Sequence, residues 1–183
     1  MSAWLLRGPR IVGGEPRDIL IRDGEIAEIG TNLDAAGAER CECHDLVALP
    51  GLVDLHAHLR EPGRDDSETV RSGTAAAALG GFTAVHAMAN TDPVADTAGV
   101  VEQVWRLGRE AGHCEVRPVG AVSVGLAGAQ LAELGAMAGS PAGVRVFSDD
   151  GRCVDDPVLT RLILSRPWRS FWMCRLRSQM RLL

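Results

Sequence analysis

Two rhythms of apolar and polar positions divide the chain. Up to about residue 49 the apolar positions come in short runs, at Trp4 to Leu6, Ile19 to Ile21, Ile26 to Ile29 and Leu46 to Leu49, with turn residues at Gly13-Gly14 and Asp23-Gly24. Runs of that length bounded by Gly and Asp predict strands, and hence a small β-domain, a portion of a β-sandwich, over residues 1–49. From Leu52 the pattern changes. Apolar runs at 52–58, 82–88, 116–122 and 144–147 alternate with segments of helical period at about 65–79, 98–110 and 129–138, and a further helix is expected from Asp156-Pro157. The spacing of Asp65 and Glu68 predicts a capping box, Val70, Thr74, Ala77 and Ala78 share one helix face, and Gly80-Gly81 ends that helix. Leu52, Val53 and Leu55 are expected to be buried, as strands covered on both faces are. The fold class is therefore α/β: about four βα units over residues 50–158, half of a (β/α)8 TIM barrel, preceded by the β-domain. A full barrel takes about 250 residues.

The polar residues fall where such a barrel builds its chemistry. His56 and His58 end the first strand, Asn90 follows the second, and Asp149-Asp150 follow the fourth, so all lie at carboxyl ends of parallel strands. Side chains two apart on a strand point to one face, so both imidazoles can converge on one cation, and neutral imidazole is a good ligand for zinc. Paired histidines also occur as solvated strand ends, so spacing alone leaves both readings open.

The wording of the motif goes further. The run Leu-Pro-Gly-Leu-Val-Asp-Leu-His-Ala-His-Leu-Arg-Glu-Pro-Gly from Leu49 to Gly63 resembles the amidohydrolase superfamily, and Arg60-Glu61-Pro62-Gly63 after the histidines resembles the dihydroorotases of the single-chain bacterial type. The resemblance continues through Gly80-Gly81-Phe82-Thr83, through Met88-Ala89-Asn90-Thr91-Asp92-Pro93 to Thr97, and through Val146-Phe147-Ser148-Asp149-Asp150-Gly151, and so covers residues 1 to about 158. It implies that residues 50–158 are the N-terminal half of a metal-dependent barrel whose intact site holds two Zn²⁺. His56 and His58 would bind one ion and Asp150 would bridge both; His58, Arg60 and Asn90 would contact the substrate, with Arg60 and Asn90 on its carboxylate. Two further histidines and the acid/base aspartate of the family come from later strands, so no catalytic residue is assigned within this chain.

The resemblance implies a zinc-dependent cyclic amidohydrolase of pyrimidine synthesis that interconverts dihydroorotate and N-carbamoyl-L-aspartate, with this chain an incomplete form that turns nothing over by itself. The alternatives are a catalytically inactive structural partner of another enzyme of that pathway, and another cyclic amidohydrolase of the hydantoinase or allantoinase kind. Those relatives bridge their metals with a carboxylated lysine, and this sequence contains no lysine. Arg60 points to an acidic substrate, because a guanidinium offers a planar fork to a carboxylate; its competing reading is an ion pair with Glu61 or Asp65. For Asn90 the competing reading is a turn before Asp92-Pro93. The family the chain resembles usually has Pro where Ala89 stands.

Composition narrows the partners. Hydrophobic residues make up 46% of the chain and the net charge is −5. Residues 1–158 carry 13 arginines against all 24 acidic residues, an acidic body without the basic stripe a nucleic acid requires. A small-molecule substrate is expected, with a second copy or a pathway enzyme as protein partner. The five cysteines are odd in number and scattered, and no charged-then-apolar leader opens the chain, so a cytoplasmic protein with free thiols is expected. The charge-free stretch 72–89 is interrupted by Gly80-Gly81 and His86, so no membrane span is expected. Residues 159–183 hold six arginines, no acid and three of the seven aromatics, Trp168, Phe171 and Trp172. They read as an aberrant basic tail, a shifted reading of a longer gene or a segment for a membrane surface or partner.

Of the remaining residues, Asp149, Asp155 and Asp156 are expected as caps or solvent residues, and His86 as a hydrogen-bonded core histidine. Cys41 and Cys43 are expected as two thiols on one strand face. His44 and His113 have no assigned partner, and Gly125-x-x-Gly128 is a loop signal.

Overall fold

The computed structural model describes residues 2–164 and 171–172, in two compact units, Met1–Pro50 and Gly51–Leu183. In the first, β1 (Ala3–Arg7), β2 (Arg10–Ile11), β3 (Asp18–Arg22), β4 (Glu25–Gly30), β5 (Glu39–Glu42) and β6 (Val47–Ala48) follow one another. Four of them form a sheet in the order β4-β3-β1-β5, and β2 pairs with β6. Asp23 (φ 51°) and Gly24 (φ 84°) turn β3 into β4, the left-handed pair that a two-residue hairpin demands. Leu5, Leu20 and Ala35 form the core. The Asp18 carboxylate, 7% exposed, accepts from the backbone of Gly8 and Leu33 and pairs with Arg7, so the buried charge is fully partnered. β5, Glu-Arg-Cys-Glu, has no apolar alternation and every residue in it is exposed, which is why periodicity does not reveal it.

The second unit alternates strand and helix: β7 (Leu52–Ala57), α1 (Val70–Leu79), β8 (Phe82–Ala87), α2 (Ala98–Ala111), β9 (Glu115–Pro118), α3 (Leu134–Gly139), β10 (Val146–Phe147), α4 (Pro157–Leu164) and β11 (Phe171–Trp172). β7, β8 and β9 form a parallel sheet in that order. It continues toward β10 through a parallel bridge between Gly120 and Phe147, with Gly120 N–H on the Val146 carbonyl at 3.0 Å. A Cβ at Gly120 would lie 2.8 Å from the Phe147 ring, so glycine is what lets the fourth strand approach. The outer face of the sheet packs on the helices: Leu59, Val70, Val85, Ala87, Val104 and Val116 make one cluster. A second, around Val101, Val122, Met137, Val144 and Phe147, sits beneath the third and fourth units.

Several local expectations change. Helix α1 is capped by Thr69 and Ser72 in a capping box, while Asp65 instead accepts from Gly63 N–H in the preceding loop. Ala78 is exposed, because Gly73 rather than Ala78 completes the buried face with Val70 and Thr74; a Cβ there would press on Leu59. The helix expected at 129–138 begins only at Leu134. Residues 122–132 are held as a loop by Val124 N–H on the Gln130 carbonyl and Ala132 N–H on the Val122 carbonyl.

Leu52, Val53 and Leu55 are half exposed, at 48%, 52% and 50%, because β7 lies at the edge of this sheet and pairs only with β8 among the described strands. The opposite edge is paired, since β11 lies parallel to β10. Apart from α4, capped by Asp156 as expected, and β11, the tail with Trp168 and Cys174 lies outside the described residues. Cys41 and Cys43 do share a face, their sulfurs 3.7 Å apart, and burial followed by that hydrogen bond pushes the Cys43 thiol up.

The helix–sheet seam gives a paired prediction. Gly108 of α2 faces Val116 so closely that an added Cβ would collide with its branched side chain, whereas Gly99 of the same helix faces open space. Gly108→Ala should therefore lower the unfolding free energy by about 1–3 kcal/mol through overpacking. Gly99→Ala should raise it by about 0.4–1 kcal/mol through the unfolded chain's lost freedom. Urea denaturation of the two variants checks both signs.

Candidate metal centre

The end of β7 is bent by a bulge. Asp54 pairs with Val85 and Ala57 with Ala87, so Leu55 and His56 together oppose a single residue of β8. The Asp54 carboxylate accepts from His56 N–H at 2.9 Å and holds the extra residue. Ala57 then packs toward the helices with Val85 and Ala87, which leaves His56 and His58 on the opposite face.

Three side chains converge there. His56 Nε2 lies 3.2 Å from His58 Nε2 and 3.2 Å from Asp150 Oδ1, and His58 Nε2 lies 3.9 Å from the same oxygen. The two rings meet edge on, with centroids 5.0 Å apart. Among the described residues this is the one group of three ligand-bearing side chains whose atoms lie within 4.8 Å of one another. Ligands about 2.1 Å from a tetrahedral zinc are separated by roughly 3.4 Å, so the spacing suits one cation held by two imidazoles and a carboxylate. Asn90 touches two of the three: its Oδ1 is 2.9 Å from His58 Nδ1, and its Nδ2 donates to Asp150 Oδ2 at 2.9 Å.

Arg60 stands in the loop that leaves His58. Its backbone is left-handed (φ 61°), unusual for a long side chain, and Glu61 N–H on the Leu59 carbonyl closes a tight turn around it. Neither ion pair of the competing reading forms: Glu61 accepts from Val70 N–H at the start of α1, and Asp65 accepts from Gly63 N–H. The guanidinium of Arg60 has no hydrogen-bond partner among the described residues. This loop is sewn to the one after β8 by Asp92 N–H on the Pro62 carbonyl, and Gly63 (φ 110°) lies so close to Asp92 that a Cβ would overlap it.

Asp149 departs from expectation. It is 1% exposed, not a solvent residue, and its carboxylate accepts from Val122 N–H, Ser123 N–H and the Ser123 hydroxyl. Ser123 Oγ in turn accepts from Gly128 N–H. The loop between β9 and α3 is thus fastened to the residue before Asp150, which is itself left-handed (φ 56°). Doubled Asp after a strand was the only sequence signal for this.

His86 also departs: its Nδ1 is buried without a hydrogen-bond partner among the described residues, beside a cavity of about 440 Å³ lined also by Val53, Glu115, Arg117 and Val144. His44 finds a partner in Glu42, at 3.0 Å.

Parallel βα units with His-x-His at the end of the first strand and an aspartate after the fourth define a portion of an amidohydrolase-type fold. Solved hydantoinases share that fold: the L-hydantoinase (dihydropyrimidinase) of Arthrobacter aurescens aligns with a TM-score of 0.58 at 22% identity, over 81% of this chain and 33% of its own. A D-hydantoinase aligns at 0.55, also at 22% identity, over 80% and 33%. The chain belongs to the dihydro-orotase-like family, whose model matches residues 45–160. It is 67% identical over 165 residues to the dihydroorotase of Streptomyces coelicolor, 62% identical over 163 residues to that of Leifsonia xyli and 55% identical over 164 residues to that of Mycobacterium tuberculosis. These alignments take in 90%, 89% and 87% of this chain and 38%, 37% and 38% of the relatives, so the chain spans well under half their length.

Replacing Asp149 by Ala strands two backbone donors and a hydroxyl in the interior. Each buried donor left unsatisfied costs about 1–3 kcal/mol, so Asp149→Ala should lower the urea midpoint sharply. Hydrogen exchange should show the amides of Val122 and Ser123 losing protection before those of β8.

Proposed function

We propose that this chain carries the metal-binding and carboxylate-recognising part of a dihydroorotase-type site, acting on dihydroorotate and N-carbamoyl-L-aspartate in pyrimidine synthesis. The observation that carries the reading is the convergence of His56, His58 and Asp150, with Arg60 two residues after His58 and its guanidinium without a hydrogen-bond partner among the described residues. The cation is Zn²⁺, for which two imidazoles and a carboxylate are a suitable donor set, and the carboxylate has a second oxygen with which to bridge to another ion. When bound, the metal supplies a Lewis acid and a water of lowered pKa. The chain's own residues position the site: the bulge at Leu55-His56 aims one imidazole, the Asp149 anchor sets Asp150, and Arg60 offers its two-pronged donor to the substrate carboxylate. The same reading makes this a cytosolic protein; among the described residues no helix is long and apolar enough to cross a membrane.

The ligand count favours a second reading. The described residues supply three ligand atoms, enough for one zinc with an open position but few for the pair of ions that the family resemblance implies, which suits a dihydroorotase-like protein that binds without turnover and serves as a structural partner. Metal-dependent hydrolysis of dihydroorotate by the purified 183-residue chain, abolished by His56→Ala, decides for catalysis. Binding of zinc and N-carbamoyl-L-aspartate with no hydrolysis decides for the partner.

Arg60→Lys keeps the charge and loses the fork. Titration calorimetry of the zinc-loaded protein should show binding of N-carbamoyl-L-aspartate weakened by about tenfold or more, since a hydrogen bond to a charged group contributes about 1.5–3 kcal/mol. Zinc affinity should be unchanged. An unaltered dissociation constant for the ligand would remove Arg60 from the carboxylate site.

A further inference from the structure

Asn90 lies between two ligand side chains, and the chemistry of its amide fixes how it must be turned. A carboxylate only accepts, so Asn90 presents Nδ2 to Asp150 Oδ2, and therefore presents Oδ1 to His58 Nδ1, each at 2.9 Å. An amide oxygen also only accepts. Neutral His58 thus carries its proton on Nδ1 and keeps the Nε2 lone pair, on the atom 3.2 Å from His56 Nε2, free for a cation. The other oxygen of Asp150 is left facing both histidines.

The backbone that delivers this amide is firmly held. Met88 and Ala89 before it are 2% and 0% exposed, Met88 N–H donates to the Ala57 carbonyl, and Ala95 N–H closes on the Ala89 carbonyl at 3.0 Å.

We infer that Asn90 is a positioning residue of the metal centre: through one amide it sets the tautomer of His58 and the rotamer of Asp150, so that ligands from the first and fourth strands are aimed together. This rests on the reading of His56, His58 and Asp150 as metal ligands. It also changes what Asn90 has to offer a substrate. The amide has one acceptor oxygen and two N–H donors, and the two contacts use the oxygen and one donor, so a single N–H remains. Recognition of the substrate carboxylate then falls mainly to Arg60.

Titration of the full chain with Co²⁺ against a chromophoric chelator tests the inference without turnover. Outer partners of metal ligands typically contribute 10–100-fold to metal affinity, so Asn90→Ala should weaken Co²⁺ binding by about that factor and change the visible cobalt spectrum. Asn90→Gln, which keeps an amide oxygen and N–H, should recover part of the loss. Wild-type cobalt affinity and spectrum in Asn90→Ala, with only N-carbamoyl-L-aspartate binding weakened, would overturn the inference and leave Asn90 a substrate ligand. No cobalt binding by the unsubstituted chain would overturn the metal reading itself. Should Asn90→Ala not fold, nitrogen NMR of the unsubstituted metal-free chain at pH 8 decides: a His58 proton on Nδ1 supports the inference and one on Nε2 refutes it.

Discussion

Parallel strand pairing is the constraint from which the rest follows. When strands run the same way, their carboxyl ends lie along one rim, and residues remote in sequence meet there without any long-range element built to bring them together. Here β7 and β8 deliver His56, His58 and Asn90 to one edge, and the Gly120–Phe147 bridge brings Asp150 to the same edge two strands further on. The approach of that fourth strand depends on Gly120 having no side chain, since Phe147 and Met137 occupy the space a methyl would need. A centre with ligands from the first and fourth strands is only as well made as the spacing of the strands between them.

Within that frame, adjacent residues do opposite work. Asp149 is turned inward and spends its charge on backbone donors and the Ser123 hydroxyl; Asp150, one residue later and with a left-handed backbone, turns out to the rim with 21% of its side chain exposed. A buried carboxylate fully supplied with donors is stiff, so the neighbour that must be aimed inherits that stiffness. Arg60 is placed by related means, a left-handed residue pinned by hydrogen bonds of the loop around it.

How far this could be read from residues alone varied with how local the signal was. The histidines were legible because their spacing and the strand's apolar character are neighbours in sequence, and the alternation of 3.6-residue and strand-like periods gave the βα order. Asp149 could not be told from a solvent residue, because what distinguishes it is a loop ending at Gly128 that closes on it from elsewhere. The late start of α3 has the same origin: residues 129–132 have reasonable helical composition, and hydrogen bonds to Val122 and Val124 override it. Leu52, Val53 and Leu55 read as buried from apolarity, but burial is a property of what covers a strand, and an apolar run carries no information about its neighbours.

The close approach of Gly63 to Asp92 has a consequence for how this region tolerates genetic change. Gly63 neither touches a ligand atom nor belongs to a core cluster, and it would pass in a survey of surface loops as freely replaceable. Any other residue there must adopt a φ of 110° and displace Asp92. The loop carrying Arg60 and the loop following Asn90 would then part. In a library of single substitutions, codon 63 should be among the intolerant positions of the surface loops, because the atoms in the way are backbone and must move.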